Sequence, residues 1–160
     1  GGQQTRIRLI QILLNKYDVP AVALMGTVLT EYQLEKLSHL TKNIILWLDG
    51  DKAGLENTET IAIELENKKL NSSILNIASF DPDEIALLKK EDLEGFIFEN
   101  KKESFSFILN FYIAIFHQNI ILELKKIVDR VNPILEKINN PEYKELLQRL
   151  FKNAITFKGV

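Results

Sequence analysis

The feature that most constrains this chain is an apolar run over residues 44–48 that ends abruptly in Asp49-Gly50-Asp51. An apolar run of about four to eight residues that stops at a turn is typical of a strand buried on both faces. The pattern of residues 52–68 predicts a helix directly afterwards. The two aspartates therefore follow the carboxyl end of a buried strand, in the crevice where open α/β sheets bind ligands.

The chemistry of this turn favours a divalent metal. Gly50 permits a tight turn, so that the carboxylates of Asp49 and Asp51 can converge on one point. Such oxygen ligands suit Mg²⁺ or Mn²⁺, which bind one or two carboxylates together with substrate phosphates. The simpler alternative is that Asp51 only caps the helix that begins at Lys52. The buried strand favours the metal, because two adjacent carboxylates repel unless a cation lies between them.

A second acidic segment, Asp81-Pro82-Asp83-Glu84, follows the strand predicted over residues 72–77. An N-cap aspartate, a proline at the first helical position and acids in the first turn also make a favourable helix start, which is the simpler explanation. The acidic segment is also expected at the same sheet edge as Asp49, which suggests a functional explanation. Four carboxylates there could hold a pair of divalent ions about 3.5–4 Å apart for phosphoryl chemistry.

Gly26 and Thr27 follow the strand predicted over residues 21–25, at that same edge. They are either an ordinary turn or a place where the backbone closely approaches a phosphate or the metal cluster. The two histidines, His39 and His117, lie on predicted helices without a second ligand at metal-binding spacing, so we expect them on the surface.

The order of elements predicts an α/β unit over residues 1–100 and a helical subdomain over residues 101–160. Alternating strands and helices imply parallel crossover connections. Thr30 and Gln33 have the spacing of a capping box that starts the helix over residues 30–40, and Leu55, Ala62 and Leu65 should face inward from the helix over 52–68. Beyond Asp81 the chain is predicted to be helical, in segments near residues 82–88, 92–98, 104–117, 120–138 (kinked or split at Pro133) and 141–152, the last burying Tyr143, Leu146, Leu147 and Leu150.

Composition excludes several classes of protein. The 160 residues carry a formal net charge of -2 and no cysteine, which excludes disulfides and cysteine-ligated zinc. Because the chain has no polybasic segment, we do not expect it to bind nucleic acid strongly and non-specifically. No apolar run approaches the ~20 residues of a membrane span.

Three segments together resemble the Toprim domain of bacterial DnaG-type primases: residues 24–30 (LMGTVLT), residues 49–54 (DGDKAG) and residues 81–84 (DPDE). Their order and spacing match the GT-x-LT, DGDxAG and DPDE segments of that family. Residues 128–151 are similar to the helical subdomain that follows Toprim there. The resemblance implies a Toprim-like parallel sheet flanked by helices, followed by an all-α subdomain.

The resemblance also implies a function, which is metal-dependent synthesis of short RNA primers on single-stranded DNA by nucleotidyl transfer. Asp49 and Asp51 would be the main metal ligands and catalytic residues, with Asp83 and Asp81 completing a site for two or more Mg²⁺ or Mn²⁺ ions. Lys52 is near enough in sequence to neutralise phosphate, beside the weaker candidates Gly26 and Thr27. The expected partners are a DNA template, nucleoside triphosphates and, through a domain absent here, the replicative helicase. We expect a monomer in the bacterial cytoplasm at the replication fork, with no membrane contact and no zinc in this fragment.

One motif of the family is missing. Toprim domains open with an EGxxD motif whose glutamate is a metal ligand, whereas Gly1-Gly2-Gln3-Gln4-Thr5 carries no carboxylate. We therefore expect an excised piece, non-native first residues or loss of the motif, and an isolated chain that cannot synthesise RNA.

Two other functions stay open. The chain could be a non-catalytic Toprim-like scaffold or binding module, or a piece of a Toprim nuclease or topoisomerase. A topoisomerase needs a nucleophilic tyrosine, and no tyrosine here has a suggestive context. A nuclease is not expected to carry the primase-like tail.

Overall fold

A computed structural model describes residues 20–24, 28–47, 52–75, 92–118 and 124–156. Its described elements, in chain order, are α1 (Glu31–Leu40), β1 (Asn43–Leu46), α2 (Lys52–Asn67), β2 (Asn71–Ile74), α3 (Leu93–Asn100), β3 (Lys102–Glu103), α4 (Ser104–Gln118), α5 (Leu124–Glu136) and α6 (Pro141–Thr156). Of these helices, none combines the length and the apolar character that a membrane crossing requires.

The three described strands form one sheet in the order β1-β2-β3. Strands β1 and β2 are parallel and in register from the pair Asn43–Asn71 to the pair Leu46–Ile74, with α2 as the crossover between them. This confirms the predicted parallel connection. Strand β3 runs antiparallel to β2 and was not predicted, because two residues are too short to leave a periodic pattern.

Two expectations about the strands are wrong for the described residues. Residues 21–24 do not form a strand. The strand at residues 43–46 is not buried on both faces, since Ile45 is 40% exposed while Ile44 and Leu46 are partly buried against apolar clusters. An apolar run records a tendency to be buried, whereas pairing and the covering of a face depend on distant segments.

Helix α1 begins as its sequence predicts. The Thr30 hydroxyl accepts a hydrogen bond from the Gln33 backbone N–H (3.2 Å), and the Gln33 side chain accepts one from the Thr30 N–H (2.9 Å). The capping box is therefore confirmed. Leu34 then packs in a small core cluster with Ile61, Leu65 and Leu70, which holds α1 against α2.

The larger core cluster joins the sheet to the helical part of the chain. Helix α2 and strand β2 contribute Ala62, Ile63 and Ile74, which pack with buried residues of α4, α5 and α6. From the helical part, this cluster includes Phe105, Ile108, Leu109, Tyr112, Ile127, Val131, Ile134, Leu135, Leu147 and Phe151, together with Ile138 in the turn between α5 and α6. The predicted parts on either side of residue 100 thus share one core.

The last helices differ in detail from their predictions. Helix α5 continues through Pro133, so of the two predicted outcomes, a kink or a split, the split is wrong. In α6, Leu147 and Phe151 are buried, but Leu146 and Leu150 are 43% and 52% exposed and were wrongly predicted to be buried. Residues one position apart on a helix point about 100° apart, so a narrow contact buries one member of each pair.

Candidate functional site

The carboxyl ends of β1 and β2 lie side by side. Leu46 and Ile74 are register partners, and the Leu75 N–H donates to the Leu46 carbonyl at 2.9 Å. Neighbouring strands are about 4.8 Å apart. The chain therefore leaves both strands at the same sheet edge, and the two acidic segments follow these strands in the sequence.

The structure describes the frame of this edge and not the predicted ligands themselves. The following candidates lie outside the described residues: Asp49, Asp51, Asp81, Asp83, Gly26 and Thr27. Lys52 is the first residue of α2, and nothing of its side chain is described. Their roles stay predictions that rest on the motifs and on the strand ends from which they follow.

The start of α2 bears on both interpretations of Asp51. Since α2 begins at Lys52, Asp51 directly precedes the helix in sequence, as the capping interpretation requires. Capping does not exclude metal binding, because an ionised carboxylate has two oxygens and about four acceptor sites. Asp49 has no such capping explanation.

The donor set fits a hard divalent cation. The four predicted ligands are all carboxylates, which suit Mg²⁺ and Mn²⁺ better than softer metals. Within residues 20–24, 28–47, 52–75, 92–118 and 124–156, no group of three or more His, Cys, Asp or Glu side chains could hold a metal ion.

Helix α2, which follows the predicted metal-bearing turn, carries a buried charge. Glu59 is only 3% exposed. One of its oxygens accepts a hydrogen bond from the Tyr112 hydroxyl, and the other accepts one from the Arg130 guanidinium. The Arg130 guanidinium carbon also lies 5.5 Å from the centroid of the Tyr112 ring. Burial, followed by the bond to Glu59, raises the pKa of Tyr112, so the phenol stays protonated and donates.

The inward spacing of α2 contained the signal for this network. Glu59 lies four residues after Leu55 and three before Ala62, on the face that was predicted to be buried. A carboxylate at such a position needs a partner, because an unpaired buried charge is costly. Periodicity could not identify the partners, since Tyr112 and Arg130 are distant in sequence.

A second polar contact holds the other end of α2. The Asn67 side-chain amide donates to the Lys137 carbonyl at 2.8 Å, and its oxygen accepts from the Asn139 N–H at 2.8 Å. Asn67 thereby binds the turn between α5 and α6 through two hydrogen bonds. Helix α2 is thus bonded to the helical part of the chain near its middle and at its carboxyl end.

A cleft of about 410 Å³ lies near the amino end of β2, away from the predicted metal edge. It is lined by Glu66, Asn71, Ser72, Ser73, Glu103, Phe105, Asn140 and Tyr143. Glu103 accepts hydrogen bonds from the Phe105 and Ser106 N–H groups at the start of α4 and from the Tyr143 hydroxyl. Its carboxylate therefore serves to cap α4 and to anchor α6.

The histidine prediction is confirmed where the structure describes it. His39 is exposed on α1. The side chain of His117, in the last turn of α4, lies outside the described residues.

Comparison with known proteins adds a family and a set of relatives. A family model described as Toprim-like matches residues 7–86, which are 80 of the 160 residues. A DNA primase of Enterococcus faecalis is 32% identical over 123 residues, covering 74% of this chain and 19% of that protein. A DNA primase of Rickettsia typhi is 30% identical over 140 residues, covering 84% of this chain and 23% of that protein. The chain thus spans about a fifth of the length of these relatives.

Solved structures share the fold. A DNA primase domain from Pseudomonas aeruginosa superposes with a TM-score of 0.72 at 18% identity, covering 91% of this chain and 47% of that one. A structure of the DnaG primase catalytic domain bound to single-stranded DNA superposes with a TM-score of 0.68 at 19% identity, covering 95% of this chain and 48% of that one. At such identities the likeness establishes the fold, and it confirms the predicted α/β class with a following helical part.

Proposed function

The chain belongs to the Toprim-like family, and on that premise we propose that it is part of the catalytic core of a bacterial DNA primase. The resemblance to DnaG-type primases, predicted from three motifs, is confirmed by relatives that carry the name DNA primase. In this role the parent protein joins nucleotides into short RNA primers on single-stranded DNA during replication. Since the chain spans about a fifth of those relatives, the activity of the whole protein is part of the proposal.

The observation that carries the proposal is the pairing of β1 with β2. Their parallel, in-register ends bring the segments after Leu46 and Ile74 out at one edge, and these are the segments that contain DGDxAG and DPDE. Asp49 and Asp51 would be the main ligands of Mg²⁺ or Mn²⁺, with Asp81 and Asp83 completing the site. When bound, such ions lower the pKa of the attacking hydroxyl and stabilise charge on the leaving pyrophosphate.

Phosphate binding is assigned to residues beside the aspartates. Lys52 begins α2, so its backbone lies at the positive end of the helix dipole, where anions are favoured. Its ammonium group would neutralise a triphosphate oxygen. Gly26 and Thr27 would let the backbone approach the same phosphates.

The proposed partners follow from the proposed reaction. They are a single-stranded DNA template, the class of ligand named for a solved relative, and nucleoside triphosphates. In the parent protein, a domain outside this chain would contact the replicative helicase. We place the protein as a monomer at the replication fork, in the bacterial cytoplasm.

Binding of Mn²⁺ tests the metal site directly. Trp47 is the only tryptophan of the chain and lies two residues before Asp49. Mn²⁺ bound at the aspartates should therefore quench its fluorescence in a saturable manner. Replacing Asp49 or Asp51 by Asn should abolish the saturable quenching, because each change removes one charged oxygen ligand without changing shape. Asp129→Asn, an exposed acid on α5, is the matched control and should leave the quenching unchanged.

The opposite result has a clear form. A chain that shows no saturable quenching at millimolar Mn²⁺, even when preceded by the EGxxD segment of a relative, contradicts the metal site. It would favour the non-catalytic binding module instead. Quenching that survives both aspartate changes would place the metal elsewhere.

A further inference from the structure

We propose that Arg130 and Tyr112 are positioning residues for the metal-bearing turn, and that they act on it through Glu59 and helix α2. The importance of the turn rests on the proposed function. The contacts themselves do not, since they lie entirely among described residues of α2, α4 and α5.

The place of Glu59 along α2 is the first step. It lies seven residues after Lys52, or about 10 Å along the axis at 1.5 Å per residue. Asn67 lies fifteen residues after Lys52, or about 22 Å along the same axis. The Glu59 contact is therefore much nearer to the turn than the Asn67 contact is.

The chemistry of the network is the second step. Apolar side chains such as Ala62 and Ile63 resist separation of the helices, but apolar contact is non-directional. Both oxygens of Glu59 are engaged, one by α4 and one by α5, so a rotation or shift of α2 would break two charge-assisted bonds. The ion pair is buried at Glu59, whereas the Arg130 side chain is 41% exposed. Such a pair often stabilises a fold less than apolar residues of equal volume would. Its distinctive contribution here is one fixed placement of α2.

The link to the site is the third step. Metal-binding side chains must be held within about 0.5 Å of their working geometry. In the sequence, residues 49–51 fall between β1, which ends at Leu46, and α2, which begins at Lys52, so both elements anchor the segment that contains them. Strand β1 is held by its pairing with β2. The helical part of the chain, through Arg130 and Tyr112, holds the other side of the turn.

Amide hydrogen exchange of the metal-free chain tests the placement of α2. Arg130→Met should accelerate exchange over residues 52–58 by about three- to tenfold, and Tyr112→Phe, which removes one hydroxyl and preserves packing, should give a smaller acceleration. Arg130→Lys keeps the charge and should restore part of the protection. The matched control is Asn67→Ala, which should lower the melting temperature and accelerate exchange near residue 139 while leaving residues 52–58 unchanged.

Mn²⁺ affinity, followed by quenching of Trp47, is the second measurement. Arg130→Met should weaken it by about three- to tenfold, whereas Asn67→Ala should not change it. This contrast separates positioning from a general loss of stability, because both variants lose contacts between α2 and the helical part.

The results can fail in distinguishable ways. The positioning role is overturned if Arg130→Met and Asn67→Ala accelerate hydrogen exchange over residues 52–58 equally. It is also overturned if neither Arg130→Met nor Tyr112→Phe accelerates exchange there. If the unsubstituted chain binds Mn²⁺ but Arg130→Met does not alter the affinity, the role is overturned as well. A chain that binds no Mn²⁺, even when preceded by the EGxxD segment of a relative, contradicts the proposed function. Hydrogen exchange then still decides whether the network places α2.

Discussion

Two carboxylates, those of Glu66 and Glu103, line the same cleft at the amino end of β2, and their surroundings differ. Glu103 is satisfied by backbone and phenol donors. The pKa of Glu66 is raised above its ordinary value by burial and then by the negative charge of Glu103. A carboxyl group with a raised pKa in the folded state binds more protons there than in the unfolded chain. Stability should therefore fall as the pH rises from about 4.5 through the raised pKa.

Replacing Glu66 by Gln should remove this penalty. At about pH 7 we expect a melting temperature higher by roughly 1 °C, because the repulsion of Glu103 is gone and the partly buried charge is lost. At about pH 3 the two proteins should melt together, since the carboxyl group is protonated in both states. Thermal unfolding followed by circular dichroism at the two pH values measures the difference. Glu99→Gln, which replaces an exposed acid on α3, is the control, and an equal rise in its melting temperature would contradict the explanation by burial.

At the scale of single elements, local sequence decides where a helix begins. The capping box of α1 satisfies two groups at once, because Thr30 and Gln33 bond reciprocally. Helix α3 uses a simpler cap, in which the Asp92 carboxylate accepts from the Gly95 N–H at 3.0 Å. Such caps are readable from sequence because donor and acceptor lie three residues apart.

Removing the α1 cap should be measurable. Thr30→Ala should cost about 1 kcal/mol of unfolding free energy, because the Gln33 N–H loses its acceptor. Thr60→Ala is the control, since that exposed hydroxyl only donates to the Glu56 carbonyl within α2. We expect the control to be neutral or slightly stabilising, given the helix propensity of Ala. Urea unfolding measures both, and equal losses would contradict the capping role.

At the scale of the whole molecule, one apolar core spans the predicted division near residue 100. Ala62 and Ile63 of α2 pack in one cluster with Ile127, Val131 and Phe151 of the last two helices. The boundary at residue 100 remains a proposal. The packing nonetheless indicates that the two parts stabilise each other, because each covers apolar surface of the other.

One cooperative transition is the expected consequence. Trp47 reports on the end of β1, while far-UV circular dichroism reports mostly on the helices. In urea the two signals should have the same midpoint, as two-state unfolding requires. A fluorescence transition separated from the dichroism transition would contradict the shared core and support two independent units.

The sequence alone determined the local features of this protein. The start of α1, the extent of α2 and the inward face of Leu55, Ala62 and Leu65 were all predicted, because caps and periodicity are short-range. The motifs also predicted the family and the parallel pair. The roles of Asp49 and Asp51 stay predictions from the motifs and from the strand ends that precede them, since the structure does not describe those residues.

Only the tertiary structure decided which distant groups meet. It paired Glu59 with Arg130 and Tyr112 and added the antiparallel β3. It also left Ile45 and Leu150 partly exposed, where an apolar run and helical periodicity had predicted burial. The physical reason is common to these cases. A residue pattern shows which side chains must be buried or paired. Which residues they contact depends on distant elements that only the folded chain brings together.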